Sequence, residues 1–193
     1  MSNPDRQPRI LVTGSTGFIG RRLIRRLLKD IGPDSVACLV KAAATPAEAG
    51  ALDRYRSMGL RLIEGDLVNE PVTGETPPAV DLVFHLAANI DTDATEHDAR
   101  VNDAGTRNLL DWLQPVSRGA RFVYTSSVAV HDRDAHPVAA ISEESPYVPR
   151  TAYGRTKLKG EHLIRERSGA DGYSFSGACC MISTQIGSAS VEP

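Results

Sequence analysis

Apolar and polar residues change along this chain in blocks that predict strands and helices in turn. Short apolar runs predict buried strands, and apolar residues at every third or fourth position predict amphipathic helices. The predicted strands are 9–13, 35–40, 60–64, 80–86 and 120–126. The predicted helices are a first helix around 23–31, then 46–58, 95–113 and 151–167. This alternation predicts the α/β class, with a doubly wound parallel sheet covered by helices on both faces.

The first predicted strand leads into a turn that contains Gly14, Gly17 and Gly20. A dinucleotide's pyrophosphate needs backbone N–H groups at a helix N-terminus and an approach that no side chain obstructs. A strand before the glycines and a helix after them is the context that supports this interpretation. The turn therefore predicts a nucleotide site. The alternative is a tight turn that needs glycine only for its backbone angles.

The end of the second predicted strand bears on which dinucleotide would bind. An acidic residue about 20 positions beyond the glycines would bind a ribose 2′-hydroxyl and favour NAD. Val40 and Lys41 occupy those positions instead, and Arg21 lies at the start of the first helix. A cation there would attract a 2′-phosphate, so we expect NADP to be the preferred cofactor, with NAD as the alternative.

Composition and charge favour one domain without a nucleic-acid or membrane partner. The chain has 193 residues, with 22 Lys and Arg against 24 Asp and Glu. This balance provides no overall field for binding nucleic acid or anionic lipid. The three cysteines show no zinc-ligand spacing, so no metal is expected. The polar N-terminus lacks the apolar core of a secretory signal, and no stretch reaches the roughly 18 apolar residues of a membrane helix. We therefore expect a cytoplasmic protein.

Tyr153 and Lys157 lie four positions apart in the last predicted helix, which places both side chains on one face. A phenol with a pKa of about 10 is a poor base at neutral pH, and a nearby ammonium favours the phenolate. Lys157 would therefore activate Tyr153. Taken alone, the spacing also fits an ordinary exposed pair on a helix.

Six motifs in this order resemble the extended short-chain dehydrogenase/reductases, which include the NAD-dependent epimerase/dehydratases. They are Gly14-Ser-Thr-Gly17-Phe-Ile-Gly20, Gly65-Asp66-Leu67, His85-Leu-Ala87-Ala88, Val101-Asn102-Asp-Ala-Gly105-Thr106, Thr125-Ser126-Ser127 and Tyr153-Gly-Arg-Thr-Lys157. The resemblance covers about residues 9–167. It implies a Rossmann-like fold and an oxidoreductase that moves hydride between a nicotinamide and a hydroxyl or carbonyl carbon.

The resemblance also implies which positions bind the cofactor. Asp66 would contact the adenine, and Ala87 and Ala88 would lie beside the nicotinamide half. Together with Lys41, which the charge argument adds, the predicted cofactor-binding residues are Gly14, Thr16, Gly17, Phe18, Ile19, Gly20, Lys41, Asp66, Leu67, Ala87, Ala88, Tyr153 and Lys157.

Four residues would carry or support the chemistry. Ser127 matches the catalytic serine and would bond the substrate oxygen, while Tyr153 would give or take the proton. Lys157 would hold the nicotinamide ribose and lower the pKa of Tyr153. Asn102 would maintain the geometry between the central strand and helix. Because neighbouring strand residues point to opposite sides, only one of Ser126 and Ser127 can face the cleft, and Ser127 is our choice.

The predicted organisation is a flexible N-terminus over 1–8, an NAD(P)-binding domain with the catalytic helix over 9–168, and an irregular remnant over 169–193. Within the remnant only 173–182 could form a strand. Family members continue beyond the catalytic helix to build their substrate pocket, so the C-terminal substrate region is expected to be largely missing.

Several functions stay open within this interpretation. The acidic, proline-rich segment 142–149 is similar to a loop of nucleotide-sugar epimerase/dehydratases, whereas 38–43 followed by 65–67 suggests a reductase of thioesters or other carbonyl compounds. A non-catalytic NADP(H)-binding module, or an inactive fragment, is the alternative outside enzymes. The expected partners are a small-molecule substrate and, because the family often dimerises, a homodimeric copy.

Overall fold

A computed structural model describes residues 7–70, 72–117, 119–131, 141–142, 145–170 and 174–178. The strands of this part of the chain are β1 (Ile10–Thr13), β2 (Val36–Val40), β3 (Arg61–Glu64), β4 (Leu82–His85), β5 (Arg121–Thr125) and β6 (Ser174–Ala178). Its α-helices are α1 (Phe18–Ile31), α2 (Pro46–Ser57), α3 (Ala104–Leu113) and α4 (Ala152–Ala170). One-turn 3-10 helices occur at Pro33–Ser35 and Val128–Val130.

The six strands form one parallel sheet in the order β3-β2-β1-β4-β5-β6. The chain moves outward from β1 to β3 and then returns to continue from β4 on the other side of β1. The carboxyl ends of β1 and β4 therefore flank the point where the strand order reverses. Open α/β sheets bind their ligands at such a point. This topology confirms the predicted doubly wound parallel sheet.

Alternate residues of the central strands face two separate hydrophobic cores. Ile10 and Val12 of β1 belong to the core that α1 and α2 cover, whereas Leu11 belongs to the core under α3 and α4. All three side chains are buried. A strand that is covered on both faces has no polar side, which explains the uninterrupted apolar runs of the sequence.

The predicted helix 95–113 was wrong in its first half, because only Ala104–Leu113 is helical and residues 95–103 form turns. The Asp98 carboxylate accepts hydrogen bonds from the backbone N–H of Thr95 at 3.2 Å and from its hydroxyl at 2.7 Å. Asp103 then accepts from the N–H of Ala104 at 2.7 Å. Short polar side chains that bond their local backbone in this way favour turns over a helix.

The segment expected to be an irregular remnant contributes a strand to the sheet. Ser174–Ala178 pairs in parallel with β5, with Arg121 opposite Ser174 and Thr125 opposite Ala178. The strand falls inside 173–182, the stretch for which the sequence allowed one. Residues 1–6, 132–140 and 179–193 lie outside the described residues, so the predictions made for them have no structural counterpart.

In the ranges that the structure describes, no helix combines the length and the apolar character that crossing a bilayer requires.

Candidate functional site

A cleft of about 320 Å³ opens at the carboxyl ends of β1, β2 and β4. The predicted cofactor-binding residues that line it are Gly14, Thr16, Gly17, Lys41, Asp66, Leu67, Ala87 and Ala88. Phe18, Ile19 and Gly20 lie next to this lining, in the first turn of α1. The structure therefore brings the glycine turn, the end of β2 and the loop after β4 to one cavity.

The glycine turn packs too closely for side chains. Gly14 has a φ of +66°, and a Cβ there would lie 2.6 Å from the backbone nitrogen of Ala87. A Cβ on Gly20 would lie 2.2 Å from the carbonyl oxygen of Gly14. Gly17 is the N-cap of α1 and provides no side-chain hydrogen bond to the helix. The first N–H groups of α1 are thus available to an anionic ligand, and this cradle fits the pyrophosphate of a dinucleotide.

A buried hydrogen-bond chain joins the strands behind the turn. The hydroxyl of Thr106 donates to the carbonyl of Asn102 at 2.8 Å, so it accepts from Nε2 of His85 at 3.0 Å. Nδ1 of His85 then accepts from the hydroxyl of Thr13 at 2.7 Å. Thr13 in turn accepts from the N–H of Ala87 at 3.2 Å. His85 is therefore an interior residue whose bonds join the ends of β1 and β4 to α3.

Burial controls the charge of His85. The loss of hydration on burial, reinforced by the nearby Lys157, lowers the pKa of His85 to about 3. The imidazole is consequently neutral across the physiological range, in agreement with the one donor and one acceptor role that its partners require.

Lys41 and Asp66 face each other at the mouth of the cleft. The ammonium nitrogen of Lys41 lies 3.0 Å from the Asp66 carboxylate, and the Lys41 side chain is 71% exposed. Burial by itself raises the pKa of Asp66, but Lys41 and the N–H of Val68 outweigh it and hold that pKa below its ordinary value. Lys41 therefore lies at the predicted place, although it already has an anionic partner.

The carboxylate of Glu48 holds the start of α2. It accepts hydrogen bonds from the backbone N–H groups of Ala44 at 2.8 Å and Thr45 at 3.1 Å. The Thr45 contact and the bond from the N–H of Glu48 to the Thr45 hydroxyl at 3.2 Å form a capping box.

The predicted catalytic pair lies on α4, where Tyr153 occupies the first turn and Lys157 the next. Tyr153 is half-buried, whereas Lys157 is fully buried. The Nζ of Lys157 has no hydrogen-bond partner among the described residues. Burial lowers the pKa of Lys157 to about 7, although the carboxylate of Glu161 acts in the opposite direction. Tyr153 and Lys157 are not among the residues that line the cleft. An orphaned buried amine nevertheless fits a site in which a ligand supplies its hydrogen bonds.

The two serines after β5 have different partners. The hydroxyl of Ser126 donates to the carboxylate of Glu161 on α4. Ser127 is the N-cap of the 3-10 helix Val128–Val130, and its oxygen accepts from the N–H of Ala129 at 3.2 Å. The interior contact of Ser126 leaves Ser127 as the serine whose hydroxyl hydrogen has no acceptor among the described residues.

Sequence reasoning missed Glu161, which is only 7% exposed. Its signal is present in the spacing, because Glu161 follows Lys157 by four positions and Tyr153 by eight. Residues four apart on a helix share a face. A search for polar residues on the face of the Tyr–Lys pair would therefore have found it.

Asn102 connects the loop after β4 to α4. Its side-chain amide donates to the carbonyl of Asn89 at 2.9 Å and to the hydroxyl of Thr156 at 3.1 Å. Its side-chain oxygen accepts from the N–H of Asn89 at 2.9 Å. Since these bonds occupy both ends of the amide, Asn102 has the contacts of a positioning residue.

Other groups of reactive type have no part in the cleft chemistry. Cys38 is buried in β2, and burial raises the pKa of its thiol to about 11. In the described ranges, no three His, Cys, Asp or Glu side chains come together as a group that could hold a metal ion.

Comparison with known proteins assigns this arrangement to a family. The sequence pattern of the NAD dependent epimerase/dehydratase family matches residues 10–191. The chain belongs to that family. The match confirms the resemblance to extended short-chain dehydrogenase/reductases, and the family is one of enzymes.

Individual members of the NAD dependent epimerase/dehydratase family are moderately similar. The dTDP-glucose 4,6-dehydratase of Mycolicibacterium smegmatis is 28% identical over 165 residues, which cover 81% of this chain and 48% of that protein. The D-erythronate dehydrogenase of Cupriavidus necator is 30% identical over 168 residues, 82% of this chain and 50% of that protein. The chain thus spans about half the length of these curated relatives.

A solved structure has a similar fold with its cofactor present. The structure of RMD from Pseudomonas aeruginosa complexed with NADPH is 27% identical, with a TM-score of 0.63. The likeness covers 88% of this chain and 53% of that chain.

Proposed function

We propose that this chain binds an NAD(P) cofactor in the cleft and that the protein moves hydride at a hydroxyl- or carbonyl-bearing carbon, with Tyr153 as the acid/base residue. The observation that carries the proposal is that His85 links the two motifs. Its ring bonds Thr13 just before the glycine turn, and it lies near enough to Lys157 of α4 for that amine to lower its pKa. Membership of an NAD-dependent enzyme family supports the same conclusion.

The lining of the cleft supports an assignment of its parts to parts of the cofactor. The glycine turn and the start of α1 would hold the pyrophosphate. Lys41 and Asp66 would lie at the adenosine end, and Ala87 and Ala88 would lie toward the nicotinamide. When bound, the nicotinamide supplies or accepts the hydride.

Proton chemistry would fall to three residues of the chain. The Ser127 oxygen already accepts from the N–H of Ala129, so its own hydrogen is left to donate to a substrate oxygen. Lys157 would bond the cofactor ribose through its unpartnered amine. Tyr153 would then exchange the proton of the substrate hydroxyl as hydride moves.

The cofactor preference that we propose is NADP. One feature at the end of β2 supports it, namely the exposed cation Lys41. The 2′-phosphate of NADP would have to replace the Asp66 carboxylate as the partner of Lys41. A dianionic phosphate offers more charge and more acceptor oxygens than one carboxylate, and for this reason we expect Lys41 to turn toward it.

The proposed substrate is a small molecule with a secondary hydroxyl or a carbonyl group. The relatives named above are, by name, a dehydratase for dTDP-glucose and a dehydrogenase for D-erythronate. A nucleotide-sugar epimerase/dehydratase is therefore the second candidate, and the 28% identity to the dehydratase supports it. Both candidates use the same Tyr153 and Lys157.

Removal of one phenol tests the proposal. Tyr153→Phe should bind NADPH within about twofold of wild type but lose about 100-fold or more of hydride transfer, measured by NADPH absorbance over carbonyl compounds and nucleotide sugars. Tyr147→Phe removes a half-exposed phenol that donates no bond to the cleft and is the matched control. Undiminished turnover in Tyr153→Phe would contradict the proposed role.

A further inference from the structure

The buried glutamate of α4 connects two parts of the proposed site. We propose that Glu161 is a positioning residue, which holds the end of β5 through Ser126 and thereby sets the place of Ser127 relative to Tyr153 and Lys157. This inference rests on the proposed function, because it assigns a purpose to the same site. It concerns contacts within the chain and needs no bound cofactor to be tested.

Glu161 makes one contact in the interior and one near the surface. Its carboxylate accepts a hydrogen bond from the hydroxyl of Ser126, the residue that follows β5. Its other oxygen lies 3.5 Å from the guanidinium of Arg165, which is half-exposed. A buried carboxylate is costly unless it is bonded, so the Ser126 contact is the interior bond that this side chain requires.

The backbone transmits the position of Ser126 to Ser127. Ser127 is extended, with φ of −154° and ψ of 149°. Consecutive side chains of an extended segment point to opposite sides. Since Ser126 is directed to Glu161, Ser127 is directed to the other side of the segment, and the 3.2 Å bond from the N–H of Ala129 fixes its oxygen there.

Among the described residues, α4 and the end of β5 are joined by the Ser126–Glu161 bond and by the hydrogen bond from the Tyr124 hydroxyl to the Lys157 carbonyl at 3.4 Å, and only the first involves a residue next to Ser127. A Cβ on Gly160 would lie 2.3 Å from the hydroxyl of Tyr124, and one on Gly154 would lie 2.2 Å from the carbonyl of Ala129. Glycines permit this approach but provide no side chain that could orient Ser127. The Ser126–Glu161 bond provides that orientation on the helix face that also carries Tyr153 and Lys157.

A cofactor-free experiment reads the geometry of Ser127 directly. The backbone amide of Ala129 donates to Ser127, so its hydrogen exchange, measured by NMR, reports whether Ser127 stays in place. We expect Ser126→Ala and Glu161→Ala each to accelerate this exchange about tenfold. The double variant should be no faster than either single variant, because both remove the same bond.

Two further variants separate the hydrogen bond from general effects. Glu161→Gln keeps an acceptor oxygen for Ser126 and should restore exchange at Ala129 to within about twofold of wild type. Glu166→Ala removes an exposed carboxylate from the same helix and should leave it unchanged. In the whole protein, Glu161→Ala should lower kcat about tenfold with little change in KM, and Glu161→Gln should recover most of this loss.

Three results would overturn the inference. They are wild-type exchange at Ala129 in Glu161→Ala, additive effects in the double variant, and an equal acceleration at the amides of β1, which would indicate only general destabilisation. If the wild-type protein transfers no hydride, the proposed function is wrong. The exchange at Ala129 then decides by itself whether Glu161 positions Ser127.

Discussion

The ammonium nitrogen of Lys157 lies 4.0 Å from the centre of the Tyr124 ring, in the interior between α4 and β5. A cation above an aromatic face gains some electrostatic stabilisation, but less than the hydration that a buried amine loses. The pKa of Lys157 is accordingly lowered to about 7. Near neutral pH the amine is therefore poised between its charged and neutral forms.

The low pKa of Lys157 makes stability depend on pH. Between pH 7 and about 10.4 the unfolded chain holds a proton on this amine that the folded chain lacks, so stability rises with pH across that window. Below pH 7 both states are protonated, and the cost of the buried charge is fully present. The free energy of unfolding of Lys157→Met should thus exceed that of wild type by most below pH 7. Above pH 7 this difference should shrink by at most about 1.4 kcal/mol per pH unit.

Urea unfolding of both proteins from acid to alkaline pH measures this difference. Lys159→Met is the control from the same helix, because hydrogen bonding to Glu96 raises the pKa of Lys159 and its removal cannot relieve a buried charge. A constant difference between Lys157→Met and wild type at all pH values would show that the pKa of Lys157 is ordinary.

Thr106 should be essential to the buried series of hydrogen bonds that passes through His85. Thr106→Val removes the acceptor of Nε2 and leaves a buried N–H of His85 without its bond. Such a loss costs about 1–3 kcal/mol in the free energy of unfolding, measured in urea. Thr106→Ser keeps the hydroxyl and should lie between wild type and Thr106→Val. Equal stability of the serine and valine variants would contradict the bond.

Among the three glycines of the turn, Gly20 leaves least room for a side chain. Gly20→Ala would bring a methyl group to 2.2 Å from the carbonyl oxygen of Gly14, so the turn must shift. We expect a loss of about 1–3 kcal/mol in stability and a loss of NADPH binding of at least tenfold, measured by unfolding and by titration.

Gly74→Ala is the matched substitution for Gly20→Ala. A Cβ at Gly74 would meet no atom of the described structure within 4 Å. The stability and the NADPH affinity of Gly74→Ala should therefore stay near those of wild type. If Gly20→Ala binds NADPH as strongly as wild type, the glycine turn is not part of the cofactor site.

The sequence predicted those parts of the site that depend on local pattern. The glycine turn was recognisable because an apolar strand precedes it and a helical repeat follows, and Tyr153 and Lys157 because they share a helix face. The turns at 95–103 were not recognisable from periodicity, since Asp98 and Asp103 bond the backbone there and interrupt the helix.

Contacts between distant parts of the chain could not be predicted from the sequence. Lys41 and Asp66 lie on different loops, and only the parallel pairing of β2 and β3 brings them to 3.0 Å. The Ser126–Glu161 bond likewise depends on how α4 packs against β5. In both cases the partners lie 25 or more positions apart in the sequence and come together only through tertiary packing.

Lys41 should determine the preference between the two dinucleotides. Lys41→Ala removes the cation that would meet a 2′-phosphate, so NADPH affinity should fall about tenfold while NADH affinity stays within about twofold. Lys29→Ala, an exposed lysine in the last turn of α1, is the control. Titration of each variant with both nucleotides makes the comparison. Equal losses for NADPH and NADH would mean that Lys41 has no role in discrimination.

Thermal unfolding of the chain with and without NADPH and NADH is the most direct test of the dinucleotide site. A ligand that binds only the folded state stabilises it, by about 2.7 kcal/mol at a concentration 100 times its Kd. We expect a cooperative transition that both nucleotides raise, with NADPH raising it more. A larger shift with NADH would contradict the NADP preference, and no shift with either nucleotide would contradict the dinucleotide site itself.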